Sequence, residues 1–387
     1  MIRNTKAITA LSYLSMFSLG IAASLIGAAA RNIGLSPYQI GLMIAVQNIG
    51  FMISVMVTGA LADTHEKPRI LFLGSLILGV SFLAFYQTGW FGLNLLIMGL
   101  IGIGIGAYEG VTDAMLLDIH TRRETLHINI NHFFVTFGSI IITTYLIFLQ
   151  MNWRNATIQS GLFVLILAAL FAITRLNRVQ KDVQPYRDRL NFLLRERLMV
   201  AIFIATILVI GAEAGTVGIL TTYLMDMRAF TQVTSKVGLV VFLSGMAVGR
   251  VLLGVITPKE QLSRYILVLF GFAVIVFTAL FSLDSGNLVY GLIFLAGLAI
   301  SALLPLMLTL TGLVYKDMAG TALGAIKVAI PLGGILLPFT MSILAEYAGF
   351  QVSLLVFPFA FLLGFLILFF GFRRSEKSLR GQAIPQQ

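Results

Sequence analysis

Twelve long apolar stretches take up nearly the whole length of this chain and leave little freedom in how it can fold. They begin near Thr5, Pro37, Pro68, Leu93, Leu126 and Thr157 in the first half, and near Leu198, Val233, Leu262, Leu288, Thr321 and Phe350 in the second. Each holds about 20 residues or more, enough at ~1.5 Å rise per residue to cross a ~30 Å hydrocarbon layer. Soluble domains carry about 25% charged residues, whereas here 11% are charged and 58% hydrophobic. The expectation is an all-α membrane protein with twelve transmembrane helices. With no cysteine in the chain, disulfides, thiolate metal sites and thiol catalysis are excluded. The first apolar stretch is too long for the core of a cleavable signal peptide. No enzyme activity, metal or cofactor is expected.

The formal net charge of +10 invites a nucleic-acid partner, but its distribution argues against one. Of the 26 Lys and Arg residues, 20 fall on the side of the N-terminus, among them Arg3, Lys67, Arg69, Arg178, Lys181, Arg189 and Arg373. Only Arg31, Arg154, Arg228 and Lys236 fall on the opposite side, and Arg250 and Lys327 lie inside spans. This asymmetry places both termini in the cytoplasm and makes anionic membrane lipid, not DNA, the partner of the basic charge. The expected location is a cell membrane, in the manner of a bacterial inner membrane, and the expected state is a monomer.

A polar segment from Arg175 to Arg197, containing Pro185, divides the spans six and six. We expect bundles over 1–176 and 198–387 joined by a linker over 177–197, with an amphipathic piece around Tyr186–Leu194. Gly50, Gly59 and Arg69 in spans two and three are matched at a constant offset by Gly245, Gly254 and Arg264 in spans eight and nine. After span two the chain reads Gly59-Ala-Leu-Ala-Asp63, then Lys67-Pro-Arg69. Gly59 lets two helices approach closely, and Asp63 can pair with a helix end or a basic side chain as a latch. This loop resembles the motif of the major facilitator superfamily, and two parallel six-span halves are its architecture.

Ionisable residues inside spans are Glu109 and Asp113 in span four, His132 in five, Glu213 in seven, Arg250 in eight and Lys327 in eleven. Spans three, six, nine and twelve have none, and the resemblance makes those the outer, lipid-facing helices. A charge at mid-bilayer costs at least about 2.5–3.5 kcal/mol, so such residues face protein or water and mark a pathway. By distance from each window's centre, Glu213 lies near the midplane, and Glu109, His132, Arg250 and Lys327 lie ~6–10 Å to the cytoplasmic side. Glu109 and Asp113, four residues apart, share a helix face. Acids facing cations at similar depth can trade a proton for substrate or for a change of conformation. Arg250 and Asp113 can equally brace neighbouring helices, and His132 can be a packing histidine. Gln47, Asn48, Asn129, Asn131 and Tyr223 are further candidates to line a pathway. Gly102-Ile-Gly-Ile-Gly106 has no strand before it and reads as close helix packing, not a nucleotide loop. Pro305, Gly333-Gly334 and Pro338 are candidate flexible points.

Four segments carry a closer resemblance, to the fucose permease family of sugar–proton symporters, which includes glucose/galactose permeases. They are Gly104-Ile-Gly-Ala-Tyr-Glu109-Gly-Val-Thr-Asp113; Asn129-Ile-Asn-His132 with Phe137-Gly138; Gly249-Arg250 with Gly254; and Pro305 with Gly333-Gly334 and Pro338. The resemblance implies that Glu109 is the span-four carboxylate that serves substrate binding and coupling, and that His132 replaces a sugar-contacting glutamine. It also shows departures: Gly27 stands at the family's span-one aspartate, Asp113 replaces an asparagine, and Lys327 takes an aliphatic position. The expected function is secondary active transport by alternating access, as proton-coupled symport of a sugar or another small polar metabolite. Glu109, Asp113 and Glu213 are the expected coupling residues. Glu109, His132, Asn129, Gln47, Asn48, Glu213, Tyr223 and Lys327 are expected to bind substrate, with Gly59, Asp63, Lys67, Arg69 and Arg250 in structural or gating roles. The alternatives are a drug/proton antiporter, a carrier of an anionic metabolite, and, more remotely, a non-transporting receptor or lipid-scrambling protein.

Overall fold

The computed structural model describes residues 3–35, 37–148, 153–176, 184–283 and 286–381. Arg178 and Lys181, counted above among the inner charges, lie outside them. The described residues are helical, without a β-strand, and include twelve segments long and apolar enough to cross a membrane. Each corresponds to one of the twelve apolar windows.

The first six spans are single helices: α1 (Thr5–Ile33), α2 (Pro37–Ala62), α3 (Lys67–Ala84), α4 (Phe91–Ile119), α5 (Glu124–Phe148) and α6 (Trp153–Ala172). A short helix, α7 (Tyr186–Arg195), falls on the amphipathic piece of the polar segment. Then come α8 (Arg197–Arg228), α9 (Gln232–Ile256) and α10 (Leu262–Ser282).

The last three spans are interrupted. Span ten is α11 (Val289–Ser301) followed by α12 (Leu303–Val314), and span eleven is α13 (Ala319–Lys327) followed by α14 (Ala329–Ala348). Span twelve is α15 (Phe350–Ser353) followed by α16 (Val356–Gly381). One chemical cause recurs. Proline has no N–H to give the carbonyl four residues back, and its ring crowds that carbonyl. Pro305 stands four residues after Ser301, where α11 ends, and Pro331 stands four after Lys327, where α13 ends. Pro358 likewise stands four after Leu354, which lies between α15 and α16. The interruption of span eleven therefore falls at Pro331, upstream of Gly333-Gly334 and Pro338, and α14 runs on through Pro338.

The chain forms two compact units, one of residues 1–189 with 312–328 and one of residues 190–311 with 329–387. In the first, α2 packs on α4, α1 on α5 and α3 on α6, while α13 lies against α2 and α4. In the second, α9 packs on α11, α8 on α14, and α16 on α8 and α10.

The repeat seen in the sequence reappears as repeated contacts. A Cβ on Gly102 would strike the carbonyl of Gln47, and one on Gly297 the carbonyl of Phe242; both partners are displaced by 195 (102 to 297, 47 to 242). Only glycine allows helix backbones to touch in this way. One variation occurs at the same crossing. Ser54 on α2 faces Gly106 on α4 and donates to the Ile103 carbonyl at 2.7 Å. In the second unit Gly249 on α9 faces Ser301 on α11, which donates to the Leu298 carbonyl at 2.7 Å. The carbonyl is equivalent (103 to 298), but the hydroxyl comes from the other helix of the pair.

Candidate functional site

Within the first unit, α4, α5 and α13 bring four ionisable side chains together. Lys327, the last residue of α13, is wholly buried. Its Nζ donates to Asp113 Oδ2 at 2.6 Å and to the backbone carbonyl of Glu109, and lies 3.2 Å from Glu109 Oε1. Three oxygens thus surround one ammonium, two of them as hydrogen-bond acceptors, and the C-terminal end of a helix favours a cation. The contact with Glu109 Oε1 is an ion pair without hydrogen-bond geometry, and that oxygen accepts no hydrogen bond.

Asp113 is held on both oxygens. Oδ1 accepts from Asn131 Nδ2 at 2.7 Å, and Oδ2 meets His132 Nε2 at 3.1 Å as well as Lys327. Asn131 is fixed in turn, donating to Thr112 Oγ1 at 3.1 Å and accepting from Ser12 Oγ at 3.3 Å. Glu109 and Asp113 sit one turn apart on α4, so both reach the same ammonium. Glu109, Asp113 and His132 are all at most 3% exposed. Two carboxylates thus face one ammonium and one imidazole in a buried place. An uncompensated charge in such surroundings is expensive. The oxygens and the imidazole nitrogen lie within 4.8 Å of one another, close enough to share a proton or a small cation.

The other predicted residues have their own partners. Asn129 donates to the Thr125 carbonyl at 2.9 Å, and its buried Oδ1 accepts nothing. Gln47 donates to the Ala22 carbonyl at 3.2 Å and Asn48 to the Ile44 carbonyl at 3.0 Å. In the second unit Glu213 and Arg250 pair at 3.5 Å, and Arg250 Nε donates to the Ser301 carbonyl at 3.2 Å. That carbonyl is the one Pro305 cannot serve, so the guanidinium supplies the donor the proline removed. Tyr223 is buried; its hydroxyl donates to the Leu280 carbonyl at 2.6 Å and accepts from Arg228 Nε at 2.7 Å.

The loop after α2 binds the other end of α13. Asp63 Oδ1 accepts from Gly320 N at 2.7 Å, and Oδ2 from Thr321 N at 2.8 Å and Thr321 Oγ1 at 2.6 Å. These are the second and third residues of α13, whose amides have no acceptor within the helix; Met318 before it supplies no side-chain cap. Asp63 also pairs with Arg189 of α7 at 2.6 Å, both side chains at most 4% exposed. A Cβ on Gly59 would lie 2.7 Å from the Gly320 carbonyl oxygen and 2.9 Å from Gly324 Cα, so α2 and α13 meet backbone to backbone. Lys67 pairs with Asp118 at 2.5 Å and the exposed Arg69 with Glu66 at 2.8 Å. Sequence reasoning had no sign that Asp63 would take Arg189, 126 residues away, or Thr321, since neither partner stands in the loop motif.

Residues 7–289 match the Major Facilitator Superfamily, well over half of the chain, and the chain belongs to that superfamily. It is a multi-pass membrane transporter of this fold. No curated protein sequence matches it. Among solved structures it is similar to the E. coli fucose:proton symporter FucP, at 17% identity, TM-score 0.76, with 95% of this chain and 99% of that one covered. It is similar to the proton:xylose symporter XylE, at 14% identity, TM-score 0.72, with 94% and 95% covered. It is also similar to the human organic anion transporter MFSD10, at 15% identity, TM-score 0.75, with 95% and 100% covered.

Proposed function

We propose that this transporter is a proton-coupled symporter of a sugar or another small polar metabolite, working by alternating access. The observation that carries the reading is the buried cluster itself: Glu109 and Asp113 share one ammonium, with the His132 imidazole beside Asp113, and carboxylates so placed can take up and give back a proton. Asp113 is committed to Lys327, Asn131 and His132, whereas Glu109 Oε1 accepts no hydrogen bond. Glu109 is therefore the carboxylate that carries the exchangeable proton, as the fucose permease resemblance also implies. Protonated, it leaves Lys327 to Asp113; ionised, it draws the ammonium back. The similar fold of two sugar–proton symporters supports the substrate class. In this reading the halves 1–176 and 198–387 move about the linker 177–197, both termini are cytoplasmic, and the protein is a monomer of a bacterial inner membrane.

The second reading, a carrier of an organic anion, draws on the likeness to MFSD10. Against it, Lys327 is fully buried and engaged by two carboxylates, and Arg250 is paired with Glu213. Uptake of labelled hexoses, pentoses and organic acids into proteoliposomes with an imposed pH gradient tests both readings. We expect gradient-driven uptake of a neutral sugar by the wild type, abolished in Glu109→Gln, with counterflow exchange retained because the amide mimics the protonated acid. Wild-type gradient-driven uptake by Glu109→Gln removes Glu109 from coupling. Uptake of acids but not sugars establishes the second reading.

A further inference from the structure

In the second unit a cavity of about 690 Å³ opens where α7 passes into α8 and α16 runs alongside. That is within the ~300–1,000 Å³ range of ligand pockets. Its rim carries Arg195, Glu196 and Arg197; its walls are apolar, with Val200, Ile204, Ile367 and Phe370 among them. The rim stands at the first turn of a membrane-crossing helix, and Ile204 lies seven residues further along α8, ~10 Å into the span. The cavity is thus charged at headgroup level and greasy below. It sits where α8 and α16 come close: a Cβ on Gly371 would lie 3.3 Å from the Ala201 side chain. Nearby, α7 exposes Phe192 and Leu194, at 46% and 63%, as a helix lying in a membrane interface does.

We propose that this cavity is a binding site for an anionic phospholipid, with the phosphate between Arg195 and Arg197 and an acyl chain along Val200, Ile204, Ile367 and Phe370. The argument is complementarity of both parts. Two guanidiniums against one carboxylate leave the rim net positive, and arginine forks match phosphate oxygens. The wall is unbroken by charge, so a free phosphate would leave it unused, and a zwitterionic lipid would gain less from the rim. Basic clusters beside membrane-spanning helices recognise anionic headgroups on these grounds. In the orientation proposed above, the lipid belongs to the inner leaflet. The site does not depend on the transported substrate.

Native mass spectrometry of the full-length protein, released from nanodiscs holding equal amounts of phosphatidylglycerol and phosphatidylcholine, tests this. The wild type should retain phosphatidylglycerol in preference. Arg195→Ala and Arg197→Ala should each lower that retention about fivefold, while Glu196→Gln should raise it. Both arginines sit at the rim of an open cavity, and Arg195→Lys with Arg197→Lys, which keeps the charge, should retain part of the binding in protein of unchanged unfolding temperature. Equal retention of the two lipids, or retention unaffected by the alanine pair, overturns the proposal. Displacement of the lipid by millimolar inorganic phosphate overturns the acyl-chain half of the assignment.

Discussion

A lysine ammonium survives inside a membrane-spanning segment only when protein oxygens replace its water. Lys327 has them from Asp113, from the Glu109 carbonyl and from the Glu109 carboxylate. Removing the ammonium leaves Asp113 ionised at 1% exposure. Lys327→Ala should cost about 3–5 kcal/mol, read as a lower thermal unfolding midpoint in detergent. Asp113→Asn added to Lys327→Ala should recover part of the loss, because the amide no longer demands a cation. A double variant no more stable than Lys327→Ala would show that the lysine is not the aspartate's counter-charge. The sequence placed these acids and this cation at similar depth, since depth follows from counting along a span. It did not say which acid would be the shared partner and which the looser one. That depends on Asn131 and His132, which hold Asp113, whereas Glu109 Oε1 accepts no hydrogen bond.

At the scale of the element, α13 is a nine-residue helix with carboxylates at both ends. Asp63 takes its first amides and its field at the positive end of the dipole, and Asp113 with Glu109 takes Lys327 in its last turn. Asp63→Ala should therefore cost about 3–5 kcal/mol by stranding Arg189 in a buried place, with about 1 kcal/mol more for the lost cap. Asp63→Asn, which keeps an acceptor for the amides, should lose less, and Thr321→Val about 1 kcal/mol. Equal unfolding midpoints for Asp63→Ala and Asp63→Asn would show that the acceptor oxygen at the start of α13 contributes nothing beyond the charge. The helices were legible because hydropathy marks spans of this length. Where they break was legible only in part. Pro305, a candidate flexible point, does end α11, but the candidates in span eleven, Gly333-Gly334 and Pro338, lie where the helix continues. Glycine permits a bend, whereas proline removes a hydrogen bond outright, and in span eleven the break follows the missing bond at Pro331.

At the scale of the whole molecule, the charge asymmetry gives a direct test of orientation. The chain has no cysteine, so a single introduced thiol reports its side without further engineering. Asp188 on α7 and Thr88 between α3 and α4 are both exposed. In intact cells Thr88→Cys should react with an impermeant maleimide, and Asp188→Cys only after the inner face is opened. The reverse pattern would turn the proposed topology over, and with it the assignment of the lipid cavity to the inner leaflet.

The serine that serves a carbonyl at the crossing of α2 and α4 sits on the first helix of the pair, and its counterpart at α9 and α11 sits on the second. If the two halves descend from one ancestral segment, the hydroxyl has changed places while its task stayed put, and each half preserves a working draft of the other. Gly106→Ser alone should fail, because its Cβ would lie 2.6 Å from the Phe51 carbonyl oxygen and 2.7 Å from the Ser54 Cβ, and only the second of these contacts goes when Ser54 becomes glycine. Gly106→Ser with Ser54→Gly writes the second half's solution into the first and should regain part of the unfolding temperature. A pair no better than Gly106→Ser alone would mean that the two halves have diverged too far to exchange parts.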